Sequence, residues 1–129
     1  MDREEKTNYW LTTAENDWSV ANHLFEKGDN PYALFFGHLT LEKLLKALIV
    51  KTTNESPPLT HRLVFLAEKA GLSVSTEHFE LLEIVTDFNM EARYPDERFT
   101  FFKKCTAEFT SDFMTKIEAF RQWLLLRIK

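Results

Sequence analysis

Apolar residues recur at three- and four-residue steps along most of the chain, which is the spacing of helices with one buried face. In the first segment this stripe runs from Trp10 to Phe25. Asp2 provides a capping-box-like start, and Gly28 accepts the left-handed conformation that often ends a helix. The pattern predicts a first helix over residues 2–27.

A second helix is predicted over residues 31–51. Asp29 and Asn30 can cap its first turn, and Pro31 fits there because its missing N–H costs nothing at that position. Very few residues separate the two helices, so we expect them to pack as an antiparallel hairpin.

Three further helices are predicted after a loop over residues 52–59 that contains Pro57-Pro58. The first is short, over residues 60–70, and the second begins at Ser75 or Thr76 and ends before Tyr94-Pro95. The last spans residues 99–128, with an apolar stripe that starts at Phe102. The apolar positions assigned to the second of these helices are Phe79, Leu82, Ile84, Val85 and Phe88.

These elements predict a single all-α domain over residues 1–129, an up-down bundle of three long helices and two shorter ones. Only three Gly and four Pro are present, which argues against the many turns of an all-β protein. A hydrophobic content of 44% and twelve Phe argue against disorder. Together with three Trp and three Tyr, so many aromatic residues predict an exposed apolar patch and a homodimer.

The net charge bears on the possible binding partners, and the cysteine content bears on the expected cellular compartment. A formal net charge of −4 means that the whole molecule does not attract nucleic acid or anionic membranes, although a local basic patch is compatible with it. The lone Cys105 cannot form an internal disulfide and is expected to be an apolar filler on a helix, which favours a cytoplasmic protein. We expect no signal peptide, membrane span, metal site or cofactor.

Polar residues on the second predicted helix are the first candidates for chemistry. His38, Glu42 and Lys46 are four residues apart and share one face, with Lys43 beside them. This is either a solvated face, on which a Glu42–Lys46 pair contributes about 0.2–0.5 kcal/mol, or the wall of a groove that offers Lys43 or Lys46 to a phosphate.

Two other polar features have both a structural and a functional interpretation. Asp17 lies at the edge of the first apolar stripe and needs a partner if it is buried. Arg93 carries planar donors suited to phosphate or carboxylate, and Tyr94 can stack or donate. Structurally, Arg93 would tie the helix end to a carboxylate such as Asp17 or Glu42.

In this order the motifs resemble the HEPN family, the nucleotide-binding helical domain of prokaryotes and eukaryotes, including its nucleotidyltransferase-associated, substrate-binding-subunit-like type. The resemblance covers nearly the whole chain, and no single piece is specific. The matching positions are Trp10, Ala14, Asp17 and Ala21, then Tyr32-Ala33, Gly37-His38, Glu42-Lys43 and Leu45 to Leu48, then Thr60-His61 and Leu63, and last Ala92-Arg93-Tyr94-Pro95-Asp96.

The resemblance implies an α-helical bundle that is often dimeric and is commonly encoded beside a minimal nucleotidyltransferase. Many members are ribonucleases, and some are toxins of toxin–antitoxin pairs. Those nucleases carry an Arg followed after four to six residues by His. Here Arg93 is followed in that window by Arg98, Phe99 and Thr100, and no other Arg has a His at that spacing.

The leading hypothesis is therefore a non-catalytic HEPN domain that binds a nucleotide or nucleic-acid phosphate, a nucleotidyltransferase partner, or both. The expected binding residues are Asp17, His38, Glu42, Lys43, Lys46, Arg93 and Tyr94. The alternative is a divergent metal-independent ribonuclease or toxin that uses Arg93 with His38 or His61.

Overall fold

The structure is a computed structural model that describes all residues 1–129. It contains helices and no strands, so the all-α prediction is confirmed, with six helices instead of five. The helices are α1 (Arg3–Glu26), α2 (Asn30–Thr53), α3 (Leu63–Lys69), α4 (Thr76–Arg93), α5 (Thr100–Lys104) and α6 (Ala107–Ile128).

The first two helices form the predicted hairpin. The Asp2 carboxylate accepts a hydrogen bond from the Glu5 N–H at 2.8 Å, which caps α1. Gly28 turns the chain at a φ of +81°, a conformation that L side chains rarely adopt. Because α2 then runs back along α1, these two helices share the most extensive contact in the fold.

Helix α2 is the central element of the bundle. It packs against α1, α3, α4 and α6. Every residue from Leu44 to Val50 is buried, which leaves this half of α2 without a solvated face. Polar side chains on α2 therefore need partners from the helices and loops that cover it.

Two expectations for the middle of the chain are wrong in detail. The short helix begins at Leu63 and not at residue 60, and the Leu63 N–H donates to the Thr86 hydroxyl of α4 at 3.2 Å. Helix α4 begins as predicted, capped by Ser75. Phe79 and Ile84, however, were assigned to its apolar face and are 44% and 45% exposed.

The last predicted helix is in fact two helices. Residues 105 and 106 separate α5 from α6, and the Thr106 hydroxyl caps α6 by accepting from the Phe109 N–H at 3.1 Å. The Asn30 side chain donates to the Cys105 carbonyl at 3.0 Å, at the point where the chain leaves α5. This hydrogen bond therefore connects the break between α5 and α6 to the first residue of α2.

Cys105 is buried at this break and does not lie on a helix. Burial raises the pKa of its thiol to about 12, with a smaller contribution from the charge of Glu91. The group is therefore a protonated apolar filler at neutral pH and not a nucleophile. None of the six helices combines the length and apolar character needed to cross a bilayer.

Candidate functional site

The face of α2 that carries His38, Glu42 and Lys46 is buried. Their exposed fractions are 0%, 4% and 6%. The Glu42–Lys46 pair is present, with 3.0 Å between Nζ and Oε2. The expectation of a solvated face is wrong, because the segment that precedes α3 lies over these side chains.

Glu42 is the centre of a polar cluster that also contains His38, Lys46 and His61, here called the Glu42 cluster. Its Oε2 accepts from Lys46, and its Oε1 lies 2.7 Å from Nδ1 of His61. His38 Nε2 is 3.9 Å from the same Oε1. One buried carboxylate therefore ties α2 to the loop before α3.

His38 is held in its neutral form. Its Nε2 donates to the His61 carbonyl at 3.0 Å, and its Nδ1 is buried without a hydrogen-bond partner. Burial lowers the pKa of His38, and the nearby charges of His61 and Arg93 lower it further against the opposing effects of that hydrogen bond and of Glu42. His38 is thus a structural link and does not reach solvent.

His61 is the accessible member of the cluster. Its side chain is 56% exposed, and the contact with Glu42 fixes the ring through Nδ1. Its Nε2 has no protein partner. The carboxylate thereby orients an imidazole whose second nitrogen is free for a ligand.

Both lysines expected to meet a phosphate are instead paired with carboxylates. Lys46 is buried with Glu42, and its ammonium lies 5.4 Å from the centre of the Trp10 ring. Lys43 lies 2.6 Å from Oδ2 of Asp17, close enough for an ion pair but outside hydrogen-bonding angles. Asp17 therefore has a structural partner in Lys43, the residue that directly follows Glu42 on α2.

Arg93 is exposed at the last residue of α4. Its Nε donates to the Asn89 carbonyl at 3.1 Å. The guanidinium carbon lies 5.5 Å from the Phe35 ring centre and 5.2 Å from that of Tyr94. It makes no ion pair, so the expected tie to Asp17 or Glu42 is wrong and its two terminal nitrogens are free.

The candidate residues do not line one cleft. Asp17 and Lys43 form one pair, while Arg93 and the exposed edge of His61 both lie near His38. None of the four main surface cavities is lined by His38, Glu42, Lys46 or Arg93. Sequence reasoning missed Phe35, although it lies on the His38 side of α2, one turn before His38 and two turns before Glu42.

Comparison with models of known protein families shows to which family the chain is related. The model of the HEPN domain family matches residues 7–128, nearly the whole chain. The chain belongs to the HEPN family. Searches of curated proteins and of solved structures found no match. The site of this HEPN domain therefore has to be interpreted from its own geometry.

Proposed function

We propose that this HEPN domain binds a phosphate group of a nucleotide or of RNA through Arg93 and His61. The observation that carries the proposal is that both side chains are exposed with nitrogen atoms that have no protein partner, and that both lie near enough to the buried His38 for their charges to lower its pKa. The other cations predicted for the site are already neutralised by carboxylates.

The Arg93 side chain is already held in position before a ligand binds. Its Nε bond to Asn89 and the Phe35 and Tyr94 rings restrict the side chain, so less conformational entropy is lost when a ligand binds. The terminal nitrogens match two phosphate oxygens in a fork geometry. Tyr94 is 65% exposed beside them and offers a ring face on which a base can stack.

His61 adds a second, directional contact. When both ring nitrogens carry a proton, Nε2 donates to a phosphate oxygen while Nδ1 donates to the Glu42 carboxylate, which fixes the direction in which Nε2 points. His38, Glu42 and Lys46 then act by holding His61 in place and do not touch the ligand.

Binding of a labelled single-stranded RNA, followed by fluorescence anisotropy, tests the proposal. Arg93→Ala removes one phosphate contact, so it should weaken RNA binding about tenfold. The slope of the logarithm of the binding constant against the logarithm of the salt concentration should fall in magnitude by about one. Arg98→Ala is the matched control, because Arg98 is an exposed arginine five residues away with no side-chain contact. Equal losses in both variants, or no binding of RNA, ATP or GTP at millimolar concentration, would refute it.

A second candidate function, RNA cleavage, is favoured by one feature. A carboxylate that orients a histidine through Nδ1 and leaves Nε2 free is the arrangement of a general base. His38 is excluded from this role by its burial. Cleavage of labelled RNA that disappears in both His61→Ala and Arg93→Ala would establish the ribonuclease, and intact RNA would leave the binding role.

Family membership alone supports the proposal of a minimal nucleotidyltransferase as partner, in a toxin–antitoxin type of pair. Co-expression of this domain with the nucleotidyltransferase of a neighbouring gene tests it. Co-purification as one complex is expected, and separate elution from a sizing column would contradict it.

A further inference from the structure

Helices α4 and α6 both pack on α2, and they meet each other through aromatic side chains while their backbones stay apart. A groove lies between them. Its volume is about 250 Å³, and its apolar lining is formed by Leu81, Ile84, Phe113, Ala119 and Phe120. His78 also lines the groove, and its ring meets those of Phe120 and Trp123 at 4.8 Å. Phe113 packs beneath the lining against the buried Phe88, with 5.2 Å between the ring centres.

The size of the groove limits what it can hold. Cavities for drug-sized ligands and cofactors usually enclose about 300–1,000 Å³. This groove is smaller, and Ile84 on its wall is 45% exposed. The dimensions suit one or two aliphatic side chains that a protein partner would insert as anchors.

The charges at the rim define the partner further. Glu77 and Glu80 line the groove, and neither carboxylate has a cation within ion-pair distance. Lys116 on the opposite wall is occupied by Asp112 at 2.9 Å and lies over the Phe113 ring. The rim is therefore acidic with no internal compensation.

The remainder of α4 extends this negative charge. Glu83, Asp87 and Glu91 are exposed on the same helix. Burial and the neighbouring charge of Asp87 raise the pKa of Glu91, which indicates that carboxylates are crowded along α4. Only Glu77 falls in the first turn, where a carboxylate stabilises a helix by itself.

A second copy of this chain is a poor occupant. A two-fold interface brings the same patch of each copy together, so the acidic rim of one copy would lie against the acidic rim of the other. Like charges at an interface oppose association. A copy that inserted a different surface would instead form an open, head-to-tail assembly.

We propose that the α4–α6 groove docks a basic amphipathic segment of another protein, whose aliphatic residues enter the groove while its Lys or Arg side chains meet Glu77 and Glu80. This surface is separate from Arg93 and His61, so the proposal does not depend on phosphate binding. Helix-in-groove recognition of this kind uses apolar anchors at helical spacing.

The test uses the full chain and two fluorescein-labelled helical peptides, one of leucine and lysine and one of leucine and glutamate. Ala119→Phe fills the groove at an exposed position, and Ala107→Phe places the same ring at an exposed position outside it. The leucine–lysine peptide should bind the wild type at micromolar concentration and bind Ala119→Phe about tenfold more weakly. Binding to Ala107→Phe should be unchanged.

A second variant isolates the rim charges. Glu77→Gln with Glu80→Gln should weaken the leucine–lysine peptide several-fold and reduce its salt dependence, whereas Glu68→Gln on α3 should not. Equal binding of the two peptides, or equal affinities of Ala119→Phe and Ala107→Phe, would overturn the proposal. Self-association of the wild type that Ala119→Phe abolishes would also overturn it, because the occupant would then be a second copy.

Discussion

Glu42 is the residue on which the polar interior of this HEPN domain depends. Its two carboxylate oxygens accept from Lys46 and His61, and its side chain is 5% exposed. Removal of one member of such a pair leaves a charge buried without compensation, which costs far more than the loss of a surface ion pair.

Replacement of Glu42 by Ala should therefore lower the free energy of unfolding by about 3–5 kcal/mol. Urea denaturation followed by circular dichroism measures the change. Glu118→Ala is the comparison, because Glu118 pairs with Arg121 at 3.1 Å near the surface and its loss should cost less than about 1 kcal/mol. Similar losses in the two variants would show that the Glu42 cluster contributes no more than a surface pair.

His38 gives the fold a predictable pH dependence. Its folded pKa lies below the ordinary value of 6.5, so the unfolded chain takes up a proton at this residue before the folded chain does. The unfolded state then binds more protons, and the free energy of unfolding should decrease as the pH falls below about 6.5. Above that pH the contribution of His38 should be constant.

The ring resonances of His38, followed by NMR between pH 7 and 5, measure this shift directly. His38 should titrate below the ordinary histidine value of 6.5. A midpoint at or above 6.5 would show that His38 is not held neutral by its surroundings.

At the residue scale, sequence spacing was enough to place His38, Glu42 and Lys46 on one face of α2. It could not show that this face is buried, because the covering segment comes from a part of the chain about twenty residues away. The path of that segment depends on contacts such as the Leu63 bond to Thr86, which no periodicity encodes.

At the scale of the elements, the packing of α2 on α6 includes a close approach at Gly37. A Cβ atom added to Gly37 would lie 2.9 Å from Cδ1 of Ile117, which is fully buried. Gly costs a helix about 1 kcal/mol relative to Ala, so its presence in the middle of α2 is explained by this contact.

Gly37→Ala should stabilise the protein by less than the helix propensity of about 1 kcal/mol alone predicts, because the new methyl group forces the buried end of the Ile117 side chain to move. Ile117→Val removes the Cδ1 atom that the new methyl group would meet. The double variant should therefore be more stable than the sum of the two single changes predicts, which a double-mutant cycle in urea measures. Additive changes would contradict the proposed contact.

Helix boundaries were predicted well where the residues that determine them are neighbours in sequence. The start and end of α1 are encoded by residues adjacent to those boundaries, and these predictions were accurate. The start of α2 was placed within one residue, with Pro31 in its first turn, but the predicted capping was wrong, because the Asp29 side chain makes no capping bond and that of Asn30 donates to Cys105. The break between α5 and α6 was missed because the apolar stripe continues across it. Its cause includes the bond from Asn30, which is 75 residues away in sequence.

At the scale of the whole molecule, exposed aromatic rings form a patch where α2 and α5 begin. Tyr32 and Phe99 are 45% and 49% exposed, and both rings contact Phe102 edge to face, at 5.9 and 5.8 Å. Phe99 also has a φ of +54°, which is strained for a bulky residue. We expect this patch to form the interface of the predicted homodimer.

Phe99→Gly removes the exposed ring and also relieves the strained backbone, so it should weaken the dimer without a large loss of stability. Sedimentation velocity at micromolar concentration measures the association. A wild-type protein that is monomeric under these conditions would contradict the homodimer, and an unchanged dimer in Phe99→Gly would place its interface elsewhere.

The central claim is that Arg93 and His61 bind one phosphate group together. The most direct measurement is an NMR titration with AMP that follows the side-chain Nε–H of Arg93 and the ring of His61. Both signals should shift with the same dissociation constant, while the buried ring of His38 shifts less. Unchanged signals at both residues, or different dissociation constants for the two, would contradict the claim.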